Sequence, residues 1–285
     1  MRSHLLLSAV AALAITSANA ADLASGKKAP AAPVVVSPWD YTVGAGVTSN
    51  YLFRGISQSD NKPSVNANAE IRYTFSDMFT GYVGIAGSSI KLTDQAFQSP
   101  GLEFDAIGGV RATIGNFGVD VGVIGYIYPS FTTAANNVFP TNPSYYEGYV
   151  KTSYAVNNNI SLGLNGFFSP SFLDTGASGQ YFSGTFAWKL PNDFGLSGEF
   201  GRQFLGTADV THGSANLPDY NYWNIGASYS YKIATLDLRY HDTDLSKSKC
   251  ASITGTTNGS ATNSKYCNAA FVATLSFSLQ AKDVK

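Results

Sequence analysis

The chain has 285 residues, of which 44% are hydrophobic, 13% aromatic and 13% charged, with a formal net charge of −1. That charged share is about half of what an ordinary soluble domain carries, while a mean hydropathy of −0.02 is too neutral for a bundle of apolar membrane helices. Abundant aromatics argue against disorder, and near-zero charge gives no support for a nucleic-acid partner.

Residues 1–20 read as a secretory leader. Arg2 supplies the positive start, Leu5 to Ile15 the apolar stretch, and Ala18-Asn19-Ala20 a small-x-small cleavage site. Cleavage after Ala20 removes one base and no acid, which takes the net charge to −2. Residues 21–39 are rich in Ala and Pro and read as a linker, 40–279 as the folded unit, and 280–285 as a polar tail.

From Asp40 onward the apolar residues alternate with polar ones, the period of strands. Twelve segments are predicted: Tyr41–Arg54, Ser64–Phe75, Phe79–Lys91, Leu102–Ile114, Phe117–Ile127, Tyr145–Tyr154, Ile160–Ser169, Gln180–Lys189, Phe194–Phe204, Tyr220–Tyr231, Ala234–Asp242 and Ala270–Leu279. Their lengths suit tilted strands that cross a bilayer and exceed the ~5–6 residues of soluble strands. The connections alternate as well. Short turns such as Ser76-Asp77-Met78, Gly115-Asn116 and Pro191-Asn192-Asp193 take turns with longer loops at 55–63, 92–100, 128–144, 170–179, 205–219 and 243–269. Short turns on one side and long loops on the other are the plan of a transmembrane antiparallel β-barrel of the outer-membrane kind.

The two faces of each segment support this plan. Val65, Ala67, Ala69, Ile71, Tyr73 and Phe75 oppose Asn66, Asn68, Glu70, Arg72 and Thr74. One large apolar face and one charged face fit apolar-out, polar-in better than a soluble barrel. By strand parity the polar face carries Arg54, Glu70, Arg72, Glu103, Asp105, Arg111, Asp120, Glu147, Lys151, Glu199, Asp237 and Arg239, seven acids and five bases. These are the candidate lumen residues. They line either an open pore selective by charge or an interior filled by ion pairs, because twelve strands lie between the filled small barrels and the open large ones. Aromatics near strand ends, among them Tyr41, Tyr51, Tyr126, Tyr128, Tyr145, Trp188, Tyr220 and Tyr222, are expected to form girdles at the two membrane interfaces.

Cys250 and Cys267 form an even pair in an exported chain, which suggests a disulfide across the last long loop. A metal site there is the weaker reading, since no His or further Cys sits at ligand spacing. An enzyme is not expected. Beyond the leader only His212 and His241 remain, and no G-x-S-x-G nucleophile motif accompanies them. A metal site from His241, Asp242 and Asp244 is disfavoured, because neighbouring strand residues point to opposite faces. No glycine-rich phosphate loop precedes a helix.

The segment Tyr51-Leu52-Phe53-Arg54-Gly55-Ile56-Ser57-Gln58-Ser59-Asp60-Asn61-Lys62-Pro63 resembles a known family. So do Gly122-Val123-Ile124-Gly125-Tyr126-Ile127-Tyr128-Pro129, Tyr145-Tyr146-Glu147-Gly148-Tyr149, Trp223-Asn224-Ile225-Gly226 and Tyr240-His241-Asp242-Thr243-Asp244, in that order. The family is the TorF-type porins, also catalogued as the Gcw_chp outer-membrane proteins of unknown function. The resemblance implies a Gram-negative outer-membrane barrel with pore activity and no established substrate. The expectation from residues and resemblance together is passive diffusion of small polar solutes or ions through a narrow charged lumen. The alternative is a closed barrel acting through its external loops. The implied partners are outer-membrane lipid, the solutes and the barrel-assembly machinery, with no cofactor.

Overall fold

The computed structural model describes residues 37–91, 97–98, 101–129, 132–133, 143–210, 214–254 and 264–281. The leader, most of the linker and His212 lie outside them. Twelve long strands form one closed antiparallel barrel. In chain order they are β1 (Trp39–Thr48), β2 (Ser64–Thr74), β3 (Phe79–Ser89), β4 (Leu102–Ile114), β5 (Phe117–Ile127) and β6 (Tyr145–Ala155). The second half continues with β7 (Ile160–Ser169), β8 (Gly179–Lys189), β9 (Phe194–Leu205), β10 (Tyr220–Tyr231), β11 (Ala234–Thr243) and β12 (Ala270–Gln280). Each strand pairs with the next in sequence, and β1 pairs with β12 from Thr42 opposite Gln280 to Thr48 opposite Thr274, which closes the cylinder. Closure satisfies every edge, the condition for a sheet in a medium that offers no hydrogen bonds.

The outward face is an apolar band. Val65, Ile71, Val83, Ile85, Val121, Val123, Leu162, Leu164, Leu236 and Leu238 are all exposed side chains of strands. The inward face holds the charge, with Glu103, Asp105, Asp120, Glu147, Lys151 and Asp237 buried. In water this arrangement is inside out; in a bilayer it is the stable one. The twelve strands, their alternating faces and the alternation of short and long connections follow the expected plan.

Two expectations are corrected. The first strand stops at Thr48 rather than running to Arg54. The chain there folds back as a small hairpin, Leu52–Phe53 against Ile56–Ser57, whose two turn residues Arg54 and Gly55 both have positive φ (46° and 83°). Positive φ at both central positions is the two-residue turn whose twist matches a hairpin, and it breaks the extended path. The second correction concerns the aromatics. Tyr126, Tyr128, Tyr145, Tyr220 and Tyr222 are buried and pack into a single cluster with Tyr149, Phe167, Phe172 and Tyr181. They share the inward parity of Ile124, Glu147 and Gln203, so they fill the barrel instead of ringing it. Tyr41 and Trp188 are exposed on the outward face.

The last long loop carries an eight-residue helix, α1 (Lys247–Thr254), joined to the base of β12 by the Cys250–Cys267 disulfide. Asp242 and Asp244 are each engaged locally, Asp242 by the Tyr240 hydroxyl and the Thr243 amide, Asp244 by Asn221.

An outward position at mid-strand tests the membrane-facing band. Val83→Arg is expected to destabilise the folded barrel by about 2–4 kcal/mol in bilayer unfolding titrations. The wild-type barrel is expected to show heat-dependent mobility in detergent gels.

Candidate functional site

The interior is organised in two tiers. Near the long-loop end the hairpin of residues 52–57 folds into the mouth of the barrel and delivers Arg54 to the opposite wall. The Arg54 guanidinium donates two hydrogen bonds to the Glu147 carboxylate of β6, at 2.9 and 2.6 Å, and one to Oε1 of Gln203 on β9 at 2.9 Å. Its planar face stacks on three rings, Phe53, Phe167 and Tyr181, at 4.3 to 4.9 Å. The side chains of this ion pair are 5% and 0% exposed. Bidentate geometry and ring stacking are what a guanidinium offers and an ammonium does not. Burial works against the charged guanidinium, yet the Glu147 carboxylate and the surrounding phenols lift its pKa above the ordinary arginine value. Arg54 is therefore a fixed cation. Gly55 allows the approach, because a Cβ there would stand 2.4 Å from Thr243 and 2.8 Å from Tyr222.

The same hairpin is anchored at its root. The Tyr51 hydroxyl donates to Glu103 on β4, and Tyr128 donates to the other oxygen of the same carboxylate at 2.7 Å. Burial and then the Glu103 charge push the Tyr51 phenol far above its usual range. Asn50 gathers the loop through Ser57, Ser59 and Asn61.

The second tier lies toward the short turns. Arg111 of β4 forks onto Glu70 of β2 with two bonds of 2.8 Å and reaches Asp120 of β5 at 3.2 Å. Arg72 joins Asp40 at 2.8 Å and Glu70 at 3.4 Å, extending the network to β1. Tyr82 lies under the Arg111 guanidinium at 3.7 Å, donates to Asp120 and also bonds Tyr149. Lys151 has no ion pair among the described residues and rests on the Tyr149 ring at 4.2 Å. The side chains of Glu70, Arg72 and Arg111 keep 18 to 21% of their surface exposed, so this tier is wet where the upper tier is dry. On the far wall Arg239 binds Asp237 at 2.9 Å, Ser197 and Asn224, while Glu199 accepts from Tyr181 and Asn224.

The structure thus brings Arg54 to Glu147, and Glu70, Arg72, Arg111 and Asp120 into one network. Glu199, Asp237 and Arg239 stand apart on β9 and β11, and Glu103 and Asp105 have no basic partner among the described residues. Sequence reasoning missed the clamp residues Gln203, Tyr51, Tyr128 and Tyr181. The available signals were the Arg-Gly turn between two alternating dipeptides and the inward parity of the tyrosines. His241 is bonded to the Tyr222 hydroxyl at 2.8 Å and stacks on its ring. Among the described residues no group of three or more His, Cys, Asp or Glu is arranged to hold a metal ion.

An apolar outer band, a charged interior and a hairpin folded into the barrel from one loop define a transmembrane β-barrel. The chain belongs to the Gcw_chp family, described as bacterial proteins of unknown function, whose model matches residues 32–277. No curated protein matches the chain. In fold it is similar to the NanC porin (11% identity, 84% of this chain and 100% of that one, TM-score 0.49) and the KdgM porin (9%, 84% and 99%, TM-score 0.46). It is also similar to OmpT, an outer membrane protein of Vibrio cholerae (13%, 87% and 100%, TM-score 0.43).

Removing either end of the clamp leaves a charge buried without its partner. Arg54→Ala and Glu147→Gln are each expected to cost about 3–5 kcal/mol of stability in urea titrations. Combining them is expected to cost clearly less than the sum, since the two residues form one interaction.

Proposed function

We propose that the protein is an outer-membrane channel for passive diffusion of small polar solutes or ions, narrowed by the inward hairpin of residues 52–57. In this reading the leader is removed after Ala20, the assembly machinery inserts the barrel in a Gram-negative outer membrane, and the long loops face outward. The observation that carries it is the partly exposed group of Glu70, Arg72 and Arg111 beneath the hairpin. A purely structural barrel has no need to keep charged side chains in contact with water inside its wall. The twelve lumen residues act as the lining, filtering by size and by field. With seven acids against five bases, the lining favours cations weakly.

The dry clamp supports a second reading, a barrel closed by its hairpin that acts through its loops. Planar-bilayer recordings in a salt gradient separate the two. The diffusion reading expects small discrete conductance steps, a reversal potential of cation-selective sign, and larger steps when Arg54→Ala loosens the hairpin. Anion selectivity overturns the preference. Silence from both wild type and variant, each verified as inserted, overturns the channel.

A further inference from the structure

Glu103 and Asp105 occupy successive inward positions of β4, directly below the hairpin root. They are 2% and 1% exposed. Both oxygens of Glu103 accept phenolic protons, from Tyr51 and Tyr128. Hydrogen bonds donated to both oxygens favour the ionised form of a carboxylate. Asp105 differs: its Oδ1 is buried and no group among the described residues bonds it. Across the sheet Asp105 lies opposite Ala86 on one side and Tyr126 on the other. The Tyr126 hydroxyl is turned to Glu147 instead.

Among the described residues no cation pairs with either carboxylate. Arg54 is committed to Glu147 and Gln203, and Arg111 to Glu70 and Asp120. The loop before β4 holds one base, Lys91, which is exposed and lies beside Lys62 and Asp60; from Leu92 to Gly101 and from Pro129 to Ser144 the sequence holds no Lys, Arg or His. An unpaired buried carboxylate costs several kcal/mol, and two neighbouring ones repel each other. Counting the whole upper tier, Arg54 faces Glu103, Asp105 and Glu147, a deficit of two positive charges.

We propose that Glu103 and Asp105 bind a hard divalent cation of the calcium class at the root of the hairpin. The donors are all oxygen, as such ions require: two carboxylates, the phenolic oxygens of Tyr51 and Tyr128 already drawn to Glu103, and water completing the shell. The ion supplies the two missing charges. It also ties the hairpin to β4, because Tyr51 belongs to the hairpin root and Glu103 to the wall. The site stands independently of whether the lumen conducts.

Terbium is the probe, since it takes calcium sites and is sensitised by nearby tyrosines. Chelator-washed, folded protein in detergent is titrated with Tb3+ under tyrosine excitation, then with Ca2+ as competitor. The expected result is a saturable signal that Ca2+ displaces, lost in Asp105→Asn and in Glu103→Gln but kept in the rim variant Asp242→Asn. In parallel, Ca2+ is expected to raise the unfolding temperature of the wild type relative to chelator by mass action, a readout that needs no variant. Absence of a Ca2+-displaced signal overturns the proposal. So does a signal indifferent to Asp105→Asn, or an unfolding temperature that follows pH but not Ca2+, which assigns the pair to a shared proton.

Discussion

Everything in this molecule follows from the need to pair each backbone amide and carbonyl without help from the surroundings. A sheet in hydrocarbon has no tolerable edge, so the first and last strands must meet. They do, along seven residues from Thr42 to Thr48 against Gln280 to Thr274. Closure then dictates the alternation of side chains, because each strand presents one face to lipid and the other to an enclosed space. The apolar residues go outward, where a soluble protein would place its polar ones, and the charged residues have only the interior left.

That interior is solved differently at its two ends. Toward the short turns Glu70, Arg72 and Arg111 pair while still touching water, an arrangement of lower cost since these charges keep part of their hydration. Toward the long loops the space is dry, and tyrosines fill it. A tyrosine suits that position because its ring packs and its hydroxyl can satisfy a buried carboxylate. Glu103 is held by two such hydroxyls, and Tyr126 adds a bond to Glu147 at 3.2 Å. Into this aromatic lining the hairpin sends one guanidinium, whose flat faces meet rings while its edge meets oxygen.

The sequence made the barrel legible because its signal is periodic and long. Val65 to Phe75 alternate without interruption, and the turns at Gly115-Asn116 and Pro191-Asn192-Asp193 mark where the chain reverses. The site was legible only in part. Parity brought Glu70, Arg72, Arg111 and Asp120 to one face, and they do meet, but parity cannot say which of them touch. Arg54 reached the candidate set through a strand that ends six residues earlier; its real route is a turn with two residues of positive φ. The tyrosines were misread because an aromatic near a strand end has two destinations, membrane interface or barrel mouth. Only its parity relative to a charged neighbour such as Glu147 separates them.

The Arg54 clamp joins residues 93 and 149 positions apart in the chain. Glu147 and Gln203 lie on strands separated by two others, and Arg54 hangs from the far side of the cylinder. Its two hydrogen-bond partners face it together only because the wall from β6 to β9 curves round opposite the hairpin. The Arg54 charge is thus also a gauge of the wall's curvature, since a flatter wall would carry Glu147 and Gln203 out of its reach.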